Sequence, residues 1–292
     1  MPQTIQLLII DPQNDFCDVP PAWQGIDALS GQRIAPALPV PGAHADMLRL
    51  ASLMEAGQAG LSSVVITLDS HHRVDVAHPA YWQQGDGQPV APFTTISAQQ
   101  VRDGLFRPRD ASARDRTLQY LDALEAQGRY GLMVWPVHCE IGTWGHSVHA
   151  AVREACSRWE EAKLRQVQVV YKGRNPWTEH YSALQAEVPD ATDPDTQLNR
   201  ALIAELDRSD VLMIAGEASS HCVKATTEHL VDNLPSGRLN KVVLITDCMS
   251  PVGGFEAQGA AFVANMQARG VRLMTAAEAL ALVQAQAPAH GG

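Results

Sequence analysis

Six positions in this chain pair a reactive side-chain type with a place at the end of an apolar run. Asp11 follows Gln6-Leu-Leu-Ile-Ile10, and Asp69 and His71 follow the run Ser63–Leu68. His138 lies just past Gly131-Leu-Met-Val134, Lys172 closes Val167–Tyr171, and Cys222 comes a short turn after Asp210–Ala215. Cys222 also opens a helical stretch, so its thiol would feel the positive end of the helix dipole and unpaired backbone N–H groups. Those groups favour a thiolate and can hold a developing oxyanion. Asp69-Ser-His71 sets a carboxylate and an imidazole on one side of an extended segment, a pair that can hold a divalent ion with oxygen and nitrogen donors. His138 could add a third ligand and His78 a fourth. Each position also has an ordinary reading: Asp11 as a turn former before Pro12, Lys172 as a solvated lysine, Cys222 as a small buried hydrophobe. His221 is no automatic base for Cys222, because adjacent residues at a helix start do not face each other. Cys139, also preceded by a histidine, lacks the strand, small-residue turn and long helix around Cys222 and reads as packing.

Something must bring these positions together, and the elements around them suggest what. Short β-branched runs at 6–10, 63–68, 131–134, 167–171, 210–215 and 241–246, with a further short edge at 271–274, read as buried parallel strands. Helical stretches are expected at about 44–57, 115–127, 144–164, 196–208, 222–233, 255–269 and 276–285. Strand and helix alternate, which implies an α/β fold with a mostly parallel sheet covered on both faces. Such a sheet binds ligands at the carboxyl ends of its strands, where all six chemical positions lie. Two stretches, 73–114 and 173–195, interrupt the alternation directly after strand ends and read as lids over that crevice rather than linkers. One elaborated domain over 1–292 is therefore expected, with an Ala/Gln-rich tail from Ala279 to Gly292 that frays.

Composition narrows the partners. Of the 292 residues 46% are hydrophobic and 18% charged, which provides a sizeable core and excludes a disordered chain. The net charge of −10, without a local basic patch, argues against nucleic acid and anionic membrane surfaces. Five scattered cysteines with no Cys-x-x-Cys pair fit a reducing compartment rather than a disulfide framework. The apolar run Ile5–Ile10 is too short for a signal peptide or membrane span, so a cytoplasmic protein is expected.

Taken in order, Ile9-Ile-Asp-Pro-Gln-Asn-Asp-Phe16, Leu38-Pro-Val-Pro-Gly42, Thr67-Leu-Asp-Ser-His71, Trp135-Pro-Val-His-Cys-Glu-Ile-Gly-Thr143, Tyr171-Lys-Gly173 and the Cys222 turn resemble the nicotinamidase branch of the isochorismatase-like cysteine hydrolases. The resemblance runs over most of the chain. It implies a Rossmann-like three-layer sandwich around a six-stranded, mostly parallel sheet. It implies a catalytic triad of Asp11, Lys172 and Cys222, an oxyanion hole from the N–H groups of Ala218 and Cys222 beside a cis Glu217–Ala218 peptide, and metal ligands Asp69, His71 and His138, with His78 matching a further ligand of some members. The implied cofactor is one divalent ion, zinc first, with iron or manganese also compatible. Phe16, Trp82 and His221 are the candidates for contact with a substrate ring. The implied substrate is a small carboxamide, nicotinamide or a close aromatic amide, and a homo-oligomer is compatible. The sequence departs from the family at Glu217, where an apolar residue is usual, at His221, where an aromatic is usual, and in its length. Two other readings are a relative acting on a different amide or on a vinyl ether without a nucleophilic thiol, and a non-catalytic binding member of the fold.

Overall fold

The computed structural model describes residues 3–286. Six parallel strands form the central sheet: β1 (Ile5–Ile10), β2 (Ser63–Asp69), β3 (Gln168–Lys172), β4 (Val211–Gly216), β5 (Val242–Ile245) and β6 (Arg272–Met274), in the spatial order β6-β5-β4-β1-β2-β3. Continuous apolar runs become the inner strands, and every residue of β1 and β4 is buried. At the β3 edge the pattern alternates, leaving Val169 and Tyr171 exposed. Helices flank the sheet. The helix Ala43–Gly57 packs against Ala150–Lys163 and Ala276–Gln284, while Cys222–Asn233 packs against β4. Asp18 starts the first of these, its carboxylate accepting from the N–H groups of Gly42 and His44 at 2.8 Å each.

The chain reverses direction across the sheet between β1 and β4, the switch point where a crevice opens in open α/β sheets. Ile10 stands opposite Gly216 in register, so the segments leaving these two strands begin side by side. Only glycine fits at 216. Its φ is +120°, and a Cβ there would lie 2.0 Å from the Ile10 carbonyl oxygen.

Three expectations need correction. The run 131–134 forms a strand, Leu132–Val134, outside the central sheet, pairing antiparallel with Thr94–Ile96, while the short run at 271–274 supplies the sixth strand. An apolar run alone does not reveal its partner, and this one serves a second hydrophobic cluster. The helix expected from 144 begins at Ala150, because His146 and His149 precede it in loop conformation. The 73–114 stretch is less a lid than a packed layer: its Val76, Tyr81, Trp82, Ile96 and Val101 are buried with Leu121 of the following helix in that second cluster. Of the tail, Ala276–Gln284 is helical and anchored by the buried Ala279 and Val283, and 287–292 lie outside the described residues. Among the described residues no helix is long and apolar enough to cross a membrane.

Candidate active site

The Lys172 ammonium, fully buried at the end of β3, is the hub of the site. Its Nζ lies 3.0 Å from Asp11 Oδ2, 2.9 Å from Asp69 Oδ1, 3.6 Å from Cys222 Sγ and 3.0 Å from the His180 carbonyl oxygen. Asp11 also acts on the Cys222 thiol, reinforcing the rise of its pKa. Each partner is fixed from behind. Asp11 takes a left-handed backbone (φ 45°) and is held by Thr67, whose hydroxyl donates to Asp11 Oδ1. Gln13 clasps the Asp69 main chain, accepting from its N–H at 2.8 Å and donating to its carbonyl at 2.7 Å. Gly173, with φ +79°, leaves the room that a Cβ would take from Asp69 Oδ1, which it would approach to 2.8 Å.

Burial sets the resting charges. It opposes the charge on Lys172, but Asp11 and Asp69 outweigh it and hold the ammonium well above its usual pKa. Burial also pushes the Cys222 thiol well above its ordinary range; Lys172 pulls against it, and Asp11 and Asp69 reinforce it. Burial raises Asp11 too, against the pull of Lys172. A neutral thiol beside a charged lysine and a basic carboxyl is therefore the resting arrangement. The N–H groups of Ala218 and Cys222 have no acceptor among the described residues, so both are free for an oxyanion. The Glu217–Ala218 peptide is cis.

Next to this hub, one nitrogen from each of His71, His78 and His138 lies within 4.8 Å of the others. Asp69 Oδ2 is 3.1 Å from His71 Nε2 and 3.5 Å from His138 Nε2. The remaining nitrogens are tied down: His71 Nδ1 to Asp75 at 3.1 Å, His78 Nδ1 to the His72 carbonyl at 3.1 Å, and His138 Nδ1 to the Pro136 carbonyl at 2.8 Å. Such outer bonds fix which nitrogen of each ring faces inward. Three imidazoles and a carboxylate with secured orientation fit a divalent first-row ion. Burial, with His138 and His71 alongside, lowers His78 to about 2, whereas Asp69 and Asp75 outweigh burial at His71 and raise it.

A pocket opens onto these groups, enclosing about 360 Å³ counted out to its mouth. Asp69, His138, Ala218 and Cys222 reach it, and Phe16, Trp135 and Tyr181 give it aromatic walls. Phe16 packs 5.4 Å from the His138 ring, and His221 stands in the wall with its Nδ1 2.9 Å from Ser220 Oγ. The expectation for Trp82 is corrected. Its ring is 1% exposed inside the second cluster and its Nε1 donates to the Val76 carbonyl, so it packs an insertion instead of facing the pocket. His72 is exposed, as its alternation from His71 requires.

Several residues here escape the sequence reading. Asp75, four places after His71, is the carboxylate that orients it. Glu179 lines the pocket with one carboxyl oxygen buried and unpartnered, and burial raises its pKa. His180 receives the Gly173 N–H on Nδ1, which puts its own proton on a buried, unpartnered Nε2. Glu179 and His180 belong to the 173–195 stretch, which has no periodicity to mark them; only its position after a strand end pointed to the crevice.

No protein-family profile and no curated protein matches the sequence. Among solved structures, the chain is similar to a nicotinamidase/pyrazinamidase of Acinetobacter baumanii (19% identity, TM-score 0.61, covering 96% of this chain and 99% of that one). It is also similar to the yeast nicotinamidase bound to the inhibitor nicotinaldehyde (18% identity, TM-score 0.60, 93% and 100% covered). A third is the pyrazinamidase of Pyrococcus horikoshii in complex with zinc (16% identity, TM-score 0.53, 93% and 98% covered). The chain shares the fold of these proteins.

Proposed function

We propose that this protein is a metal-dependent cysteine amidohydrolase that cleaves nicotinamide, or an aromatic carboxamide of similar size, to the acid and ammonia. The observation that carries the reading is the Lys172 ammonium within reach of Asp11, Asp69 and the Cys222 sulfur, where Cys222 lines an aromatic-walled pocket. The nicotinamidases that share this fold, one of them also a pyrazinamidase, support it.

In this reading the thiol proton passes to Asp11 as the Cys222 sulfur attacks the amide carbon. The oxyanion is held by the N–H groups of Ala218 and Cys222. Lys172 keeps the negative charge near Asp11 and sulfur tolerable in a buried site. The C–N bond then breaks as Asp11 returns its proton to the departing nitrogen, leaving a thioester on Cys222. A water gives a proton to Asp11 and attacks the thioester. Collapse releases the acid, and the thiolate recovers its proton. Asp69, His71, His78 and His138 would hold a divalent ion, proposed as zinc on the strength of the zinc-bound pyrazinamidase with this fold; it would supply a Lewis-acid contact for a ring nitrogen or for water. Phe16, Trp135 and Tyr181 enclose the ring, and His221 closes the far wall.

The test is an ammonia-release screen over aromatic and aliphatic amides with bound metal assayed in the same preparation. Turnover of pyridine carboxamides above all others, by protein carrying about one divalent ion per chain, is expected. Absence of ammonia release from every aromatic amide would remove the proposal.

A further inference from the structure

Behind Trp135, Tyr181 and His221 lies a second chamber that the proposed chemistry does not use. It encloses about 650 Å³ counted out to its mouth, and Arg129, Tyr130, Lys224 and Phe255 are among its further lining residues. Five rings stand in its walls, beside polar and small residues. Around His221 the ring centroids of Phe255, Trp135, Tyr181 and Tyr130 lie at 4.7, 5.2, 5.2 and 6.1 Å. Burial, aided by Lys224, lowers His221 to about 4, so this ring adds no positive charge near neutral pH.

The two cations of the chamber differ. Arg129 is neutralised by Glu228 at 2.8 Å and approached by the buried Glu187 at 3.5 Å. Lys224 has no carboxylate within 4.0 Å among the described residues; its Nζ meets the Tyr130 hydroxyl at 3.4 Å and sits 4.8 Å from that ring's centre. Its charge reaches the buried Glu187 only from beyond 4.0 Å, so its contacts leave room for an outside anion. Its position follows from the helix. Lys224 is two residues past Cys222 in the helix Cys222–Asn233, hence on a different side, so one helix start presents a thiol to the inner pocket and an ammonium to the outer chamber.

We propose that the outer chamber binds a planar aromatic carboxylate, its ring against the aromatic walls and its carboxylate on Lys224. Burying a flat ring against Tyr, Trp and Phe is favourable through apolar area and π-stacking, and a single ammonium matches a monoanion. A neutral ring would gain only the first part. The chamber shares the walls Trp135, Tyr181 and His221 with the catalytic pocket but takes its cation from Lys224, and its occupancy is read by binding, so a failure of amide turnover would not decide it.

Calorimetric titration of benzoate into the full-length protein tests it, with benzyl alcohol as the uncharged probe and Lys224→Met, Lys224→Arg and Cys222→Ala as variants. Saturable benzoate binding is expected, weakened at least tenfold in Lys224→Met, retained within about threefold in Lys224→Arg and Cys222→Ala, and at least tenfold tighter than benzyl alcohol. Should Lys224→Met fail to fold, the wild type decides: benzoate affinity must fall severalfold as salt rises, because the ammonium is only half-buried. Unchanged binding in Lys224→Met, loss of binding in Cys222→Ala, equal affinity for benzyl alcohol, a salt-independent affinity or no saturable binding would each overturn the proposal.

Discussion

Cys139 and Cys222 follow histidines, are both buried, and both carry thiols that burial pushes well above their usual pKa. Their surroundings separate them. The Cys139 turn is spent on structure: its N–H donates to Asp15 Oδ2 at 2.7 Å, its carbonyl accepts from His71 N–H at 3.1 Å, and the residue does not line the pocket. Cys222 stands at a helix start with free amides, an ammonium at 3.6 Å that is itself 3.0 Å from the Asp11 carboxylate, and a pocket that it lines. A buried, elevated thiol is thus no mark of a nucleophile. What distinguishes one is a nearby acceptor for its proton and space for an electrophile.

The widest gap between the two should appear on truncation. Cys222→Ala is expected to lower kcat by about 10⁴-fold or more while the fold survives, and Cys139→Ala to leave kcat within about threefold at a cost of about 1–2 kcal/mol in stability. Steady-state ammonia release with thermal melts measures both, and comparable activity losses would erase the contrast. Next comes Lys172→Met, which leaves Asp11 and Asp69 buried without their cation. It should abolish turnover and destabilise the protein by about 3 kcal/mol, unlike Cys222→Ala, as read by denaturant unfolding. Chelation should act on ligand more than on fold, weakening pyridine-amide binding about tenfold or more while the unfolding midpoint falls by only a few degrees. Equal effects on both would make the histidine group purely structural.

A smaller difference is expected between the two clusters of aromatic residues. Trp135→Phe removes part of the pocket wall and should raise KM severalfold, whereas Trp82→Phe should cost about 1–2 kcal/mol with KM unchanged. The gentlest effect is a pH dependence. Burial raises Glu187 to about 7, against the opposing pull of Arg129. A carboxyl raised in the folded state keeps its proton while the unfolded chain has lost it, so stability declines between about pH 4.5 and pH 7. Glu187→Gln should flatten that decline, worth about 1–3 kcal/mol, in urea melts across the interval.

Much of this contrast was legible in the chain. The inner strands are continuous apolar runs, Asp11, Asp69 and Cys222 each stand at or just past the end of one, and Lys172 ends the edge strand β3, so a parallel sheet alone brings them to one edge. Less visible was what depends on partners far along the chain. Leu132–Val134 looks like any buried strand, but pairs with Thr94–Ile96 because the 73–114 stretch brings its own apolar residues. Trp82 joins that cluster for the same reason. Glu179 and His180 reach the site on an aperiodic loop fixed by contacts such as the Glu179 N–H to the Tyr120 hydroxyl at 3.2 Å. Asp75 lies close in sequence to His71, yet only the ring's orientation reveals it as a partner.

Covalent attack by Cys222 is most directly tested by acid-quenching the protein during steady turnover of an aromatic amide and measuring the mass of its peptides. An acyl group on the Cys222 peptide that appears with substrate and decays once substrate is exhausted is the predicted result. Sustained turnover by Cys222→Ala, with no acyl group on that peptide in the wild type, would contradict the account.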